Sequence, residues 1–251
     1  MNIRKGGRVE AEVIAFFEEH ACELVGLGGS GSSPKLPEFE LLPRDFIEFA
    51  ERDLKAGGST YSLVNATSNL KRAIDCQLDY ILVVLNLDKL YREKRLGVDR
   101  KLGFLKKAGI FRSRSIEKLN VFRNRLEHHY EVPDIEDVEV YFDLVSAFVN
   151  VVEATIPALG WSASQEMRLE DGGIVSTEFE FEGPAVEVNF RHGADAVKQV
   201  YRVDISTSPD VVAALDSFSF LLRVHLLLRK LDDGAIGERH FLAALKGEVQ
   251  V

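Results

Sequence analysis

The chain has 251 residues, enough for one large domain or two modest ones with packed cores. Its composition, 46% apolar and 28% charged, is that of an ordinary globular protein, and a net charge of −9 argues against a polyanionic partner if that charge is evenly spread. Two cysteines, Cys22 and Cys76, without CxxC spacing imply neither a zinc site nor a disulfide framework. Arg4 and Lys5 precede an apolar run interrupted by Glu10, Glu12, Glu18 and Glu19, so no secretory leader is readable. The stretch read as most apolar, residues 81–87, is too short to cross a bilayer. These features predict a cytoplasmic protein with no membrane partner, no metal site and no cofactor.

Residues 8–25 predict a helix with Val13, Ile14, Phe16, Phe17, Cys22 and Leu24 in a broad apolar stripe. The next string, GLGGSGSSPKLP at 26–37, satisfies GxGxxG at Gly26, Gly28 and Gly31. A dinucleotide loop needs a strand before it and a helix N-terminus after it. Here a helix precedes and Ser32, Ser33, Pro34 and Pro37 follow, so the string predicts a flexible linker. Pro43 suits the first turn of a helix over 43–55. The strongest periodicity, from Leu63 to Leu85, predicts one long helix over 62–93. A shorter helix over 99–108 leads through a basic loop to Ser115, placed as an N-cap with Lys118 three positions on. Pro133 ends that helix, and Asp134 caps the next, which runs to about residue 155 with Val138, Phe142, Val145, Phe148, Val149 and Val152 inward. Four amphipathic helices with short loops read as an up-and-down bundle.

After Gly160 the period changes. GIVSTEFEFEG, PAVEVNF and QVYRVDIS alternate apolar and polar residues, as half-buried strands do. Turns fall at residues 182–184 and 191–193, a long helix at 209–231 and a short one at 238–246. The prediction is a mainly α protein: an N-terminal helix (1–25), a linker (26–37), a helical bundle (38–159) and a small α+β C-terminal domain of about three strands (160–251). On its long helix, His225 lies between Val224 and Leu226 and reads as a packed or interface histidine.

Charge is segregated. From Arg92 to Arg125 there are twelve Lys or Arg against Glu93, Asp99 and Glu117; twelve less three gives +9, leaving −18 elsewhere. Such a window is a candidate footprint for phosphate-rich ligands, or else the solvated faces of helices. Within it lies VFRNRLEHHYEVPD, residues 121–134. On a helical wheel Leu119, Phe122 and Leu126 form an apolar face; Arg123 and Tyr130, seven apart, sit at its edge, and Asn124 and His128 share another line. One reading is structural: Arg123 pairs with Glu127 along the helix and the histidines face solvent. The other is chemical. A histidine titrating near neutrality can take and return a proton, and an arginine can clamp a phosphate and stabilise developing charge. Together they suffice to cleave RNA without metal, by attack of the 2′-hydroxyl on the adjacent phosphodiester.

The string FRNRLEHHY resembles the Rx4–6H signature of the HEPN superfamily, and Arg123-x4-His128-x-Tyr130 is similar to the RX4HXY pattern of HepT-type toxins. The resemblance spans about residues 43–155. It implies a HEPN-like helical bundle and a metal-independent endoribonuclease that leaves 2′,3′-cyclic phosphate ends, acting as a toxin or defence effector. It implies His128 as acid/base, Arg123 as phosphate clamp and Asn124 as the orienting residue. Tyr130 matches the tyrosine that a nucleotidyltransferase antitoxin modifies with AMP. The family places its site between protomers, which implies a homodimer. Arg112, Arg114, Lys118, Arg125, Lys106 and Lys107 would hold the RNA backbone. His129 offers an Rx5H spacing as well, and the N-terminal helix and C-terminal unit have no counterpart in the short toxins. The rival is a non-catalytic module of the same scaffold that binds RNA, a nucleotide or a protein partner.

Overall fold

In the computed structural model, which describes residues 6–57, 59–111, 134–161, 163–191, 193 and 197–249, the helices are α1 (Gly6–His20), α2 (Pro43–Lys55), α3 (Thr60–Val84), α4 (Asp88–Glu93), α5 (Val98–Lys107), α6 (Ile135–Trp161), α7 (Val211–Asp232) and α8 (Glu238–Leu245). The strands are β1 (Val25–Ser30), β2 (Ser164–Arg168), β3 (Ile174–Glu180), β4 (Ala185–Arg191) and β5 (Gln199–Asp204). They form one antiparallel sheet in the order β1-β2-β3-β4-β5. The chain divides into two compact units: an α+β unit of Met1–Lys35, Leu85–Ile110 and Ile156–Val251, and a helical unit of Leu36–Val84 and Phe111–Thr155.

In the α+β unit, alternation along the strands decides which face is buried. Val175, Thr177 and Phe179 on β3 pair with Phe190, Val188 and Val186 on β4, and all six are buried. That face packs on α7, whose Phe218, Leu221, Leu222 and Val224 are buried in turn. Aromatic rings from α1 and α8 complete the core. Phe16 stacks on Phe190 with centroids 3.8 Å apart, and Phe17 meets Phe190 and Phe241 edge-on at 5.4 and 5.1 Å. Phe104 of α5 lies on Phe218 of α7 at 6.2 Å.

In the helical unit, α2 packs along α3. The start of α2 is held reciprocally: the Leu42 N–H donates to Asp45 Oδ2 at 2.7 Å and the Asp45 N–H to the Leu42 carbonyl at 3.1 Å. Arg44 of α2 bridges to Glu153 and Asn150 of α6. On α6, Val138, Val145, Phe148, Val149 and Val152 are fully buried, as their spacing predicts, while Phe142 is half-buried.

The predicted fold class is corrected in three places. First, the mainly α bundle over 38–159 does not stand. Residues 85–110 belong to the α+β unit, where the apolar face of α5 packs on α7. The helix predicted over 62–93 breaks after Val84, where Asn86 turns left-handed at φ 55° and its amide donates to the carbonyls of Phe181 and Glu182 at 3.2 and 2.8 Å. Second, the linker over 26–37 is in part strand β1, paired through Gly26–Ser30 with β2. All six β1 residues are exposed, so no alternation marks it. Gly29 is required there, since a Cβ would stand 2.2 Å from the Ser164 carbonyl oxygen. Third, the α+β unit is not a C-terminal domain of three strands. It holds five strands and draws on both ends and the middle of the chain.

Helix α6 runs past Pro157 to Trp161 instead of ending near 155, with the Gly160 carbonyl held by the Ser32 N–H at 2.7 Å. Among the described residues, two helical stretches are long and apolar enough to cross a bilayer, Ile135–Gly160 and Val211–Asp232. Both exceed residues 81–87, the stretch read as most apolar. In the second, 61% of the apolar window is buried, which is the state of a core helix.

Candidate functional site

The basic window begins on a helical hairpin of the α+β unit. Helix α4 ends at Glu93, four residues turn the chain, and α5 starts after Gly97. Tyr91 of α4 is buried against Phe104 of α5, with rings nearly perpendicular at 6.4 Å, and this contact joins the two helices. Burial pushes the Tyr91 phenol well above its ordinary pKa, and the charge of Arg100 pulls in the opposite direction. Arg92 pairs with Asp88 and Lys89 with Glu93 along the helix. Lys94, Arg95 and Arg100 are exposed, and neither Lys94 nor Arg95 has a side-chain partner among the described residues.

Two of the predicted RNA-binding residues can be placed. Lys106 is exposed on α5. Lys107 is tied into the fold: its Nζ lies 2.9 Å from Glu10 Oε1, and its carbonyl accepts from Arg223 Nε at 2.6 Å. A phosphate at Lys107 would compete with an internal carboxylate, so its contribution to backbone binding is smaller than its sequence neighbourhood implies. Arg112, Arg114, Lys118, Arg123, Asn124, Arg125, His128, His129 and Tyr130 lie outside the described residues. The flanking residues are anchored in the helical unit. Phe111 meets Phe148 of α6 edge-on at 5.0 Å, and Asp134 takes the Val138 N–H on its carbonyl at 3.1 Å.

His225 is 1% exposed, in keeping with a packed histidine. Its Nδ1 lies 2.8 Å from Thr177 Oγ1, and Gln165 Nε2 donates to Thr177 Oγ1 at 3.0 Å and to the His225 carbonyl at 2.6 Å. This polar cluster sits under the sheet rather than in an open cleft, and its hydrogen bonds run between its own members, with Gln165 Oε1 left without a partner among the described residues. Sequence reading missed Gln165 and Thr177. The available signal was a polar residue at an inward position of alternating strands, and β2 was not recognised as a strand.

Cys22 and Cys76 are both free thiols. Burial, aided by Asp79, Asp45 and Asp75, pushes the Cys76 thiol up to about 11, so it is no nucleophile near neutrality. Among the described residues no group of His, Cys, Asp and Glu is arranged to hold a metal ion. Comparison with family models, curated proteins and solved structures finds no match to this chain.

Proposed function

We propose that this chain is a cytoplasmic, metal-independent endoribonuclease in which His128 moves the proton and Arg123 clamps the scissile phosphate. The observation that carries the reading is the spacing Arg123-x4-His128-x-Tyr130 inside a window of net charge +9 in a chain of −9. The reading rests on these residues and their resemblance to the HepT-type pattern, not on the fold. In the proposed step His128 accepts the ribose 2′-proton and the 2′-oxygen bonds to phosphorus. The bond from phosphorus to the 5′-oxygen breaks, and that oxygen leaves with the proton that His128 returns. The products are a 2′,3′-cyclic phosphate and a 5′-hydroxyl. Arg123 stabilises the charge that builds on the non-bridging oxygens, and Asn124 orients the site. The active form is a homodimer, and a nucleotidyltransferase antitoxin silences it by placing AMP on Tyr130.

The test is cleavage of a mixed RNA by purified full-length chain in excess EDTA, with end-group analysis of the products. Cyclic phosphate ends, lost by about 10²–10⁴-fold in Arg123→Ala and His128→Ala, are the expected result. An unmodified protein, verified by intact mass, that binds RNA but leaves it uncut would instead establish the non-catalytic binding module.

A further inference from the structure

Helices α4, α5, α7 and α8 all end in the same way. In each, the second residue past the helix is left-handed, its N–H returns to the carbonyl three residues back, and the next N–H returns five residues back. The pairs are Arg95→Arg92 with Leu96→Tyr91, Gly109→Lys106 with Ile110→Leu105, Gly234→Leu231 with Ala235→Lys230, and Gly247→Ala244 with Glu248→Ala243. In three helices the left-handed position holds glycine, at φ 69°, 69° and 77°; in α4 it holds Arg95 at φ 51°. A side chain there crowds its own backbone, which is why glycine is the usual occupant.

Among the described residues the other left-handed side chain is Asn86, and its conformation is explained by two hydrogen bonds from its amide to the β3–β4 turn. Arg95 has no such explanation. Its guanidinium is exposed and reaches no partner among the described residues. Favourable interaction with the dipole of α4 is a weak reason, since that helix has six residues and already carries Arg92 in its last turn. An exposed arginine held in a strained position, without a partner among the described residues, is open to a ligand.

We propose that the α4–α5 turn is a contact surface for the phosphate backbone of single-stranded RNA, with Arg95 at its centre and Lys94 and Arg100 beside it. This deepens the ribonuclease reading by adding a grip apart from the residues that cut, and it rests on that reading for the choice of RNA. Residues 94–107 hold six bases, Lys94, Arg95, Arg100, Lys101, Lys106 and Lys107, against one acid, Asp99. The surface is presented rigidly. Tyr91 packs on Phe104 inside the hairpin, and Arg223 holds the far end of α5 through the Lys107 carbonyl. Exposed cations on a rigid hairpin suit a phosphate chain and take no sequence information from it.

The experiment measures binding of a fluorescent single-stranded RNA to full-length chain carrying His128→Ala, in EDTA, over a salt series. Arg95→Gly is expected to raise the melting temperature, because the left-handed strain disappears. It is also expected to weaken RNA binding several-fold and to lower the salt slope by about 0.7, the value for one phosphate contact on a single strand. Lys94→Ala, Arg95→Gly and Arg100→Ala combined lower the slope by about 2. Arg95→Asn, neutral and tolerant of this conformation, must repeat the loss. A chain that binds RNA with affinity and slope unchanged in these variants overturns the proposal, as does absence of RNA binding, or loss of binding only to vesicles containing phosphatidylserine. Cleavage is read separately on the chain with His128 intact: binding that depends on Arg95, in a chain that leaves RNA uncut there, leaves this surface standing and removes the nuclease reading. Cutting that is indifferent to Arg95 does the reverse.

Discussion

Arg223 Nε donates a 2.6 Å hydrogen bond to the carbonyl of Lys107, 116 residues earlier, and its Nη1 reaches the carbonyl of Leu245 at 3.3 Å. One guanidinium on α7 therefore meets terminal carbonyls of both α5 and α8, where the helix dipoles leave negative charge. The sequence shows only an arginine in an apolar helix. Arg223→Ala is expected to lower stability by about 2–4 kcal/mol, from two charged hydrogen bonds and the packing of the stem. Arg223→Lys should recover only part of it. Thermal denaturation of the three proteins checks this; equal melting temperatures would refute it.

Gln77 on α3 is fully buried, and neither amide atom has a hydrogen-bond partner among the described residues. An amide left in that state costs about 1–3 kcal/mol. Gln77→Met, nearly equal in shape and without polar hydrogens, is expected to stabilise the chain by about 1 kcal/mol or more. Urea unfolding supplies the measurement, with a lower midpoint for Gln77→Met as the contrary result.

Cys76 and Cys22 should differ sharply towards iodoacetamide. With its thiol pushed up to about 11, Cys76 is thiolate in roughly one molecule in a thousand at pH 8. Cys22 is exposed. Labelling of the native protein, read by peptide mass, is expected to favour Cys22 by about 100-fold or more. Unfolding in urea should bring the two rates together.

The Arg202 hydrogen bonds to Glu180 hold that carboxyl below its usual range. A depressed carboxyl stabilises the fold above its unfolded pKa and loses that contribution as pH falls through its folded value. Both side chains are about a third exposed, at 39% and 31%, so the effect is below about 1 kcal/mol. Comparing Glu180→Gln with the parent, the stability gap should be present at pH 7 and close below about pH 4. A gap that persists unchanged at pH 3 would contradict this origin.

Helix periodicity was legible wherever one face is buried and the other wet. α2 falls on the predicted residues, β3 and β5 lie within the predicted alternating stretches, and β4 runs one residue past its own, to Arg191. Five of the six inward residues predicted on α6 are fully buried. Strand β1 was not legible because both its faces are exposed, and β2 because one of its two inward residues is Gln165. The break after Val84 was hidden because Leu85 and Leu87 stay buried and continue an apolar pattern through a left-handed Asn86. Of the candidate site, the motif and the charge segregation are legible in the sequence, and of the site residues named from them the structure describes only Lys106 and Lys107.

Side-chain order along the chain accounts for local properties: which residues turn an apolar face inward, where the period changes from helix to strand, and where positive charge gathers. Those properties follow from side-chain chemistry repeated at the period of the backbone. The pairings that come from folding are non-local. The strand at 25–30 pairs with one 134 residues later, at Ser30 and Ser164, and α5 packs on α7. Arg223 closes two helices at once, and Arg95 stands at a position where three other helices of this chain use glycine. Each depends on which buried face meets which, a choice made by packing between segments far apart in the chain.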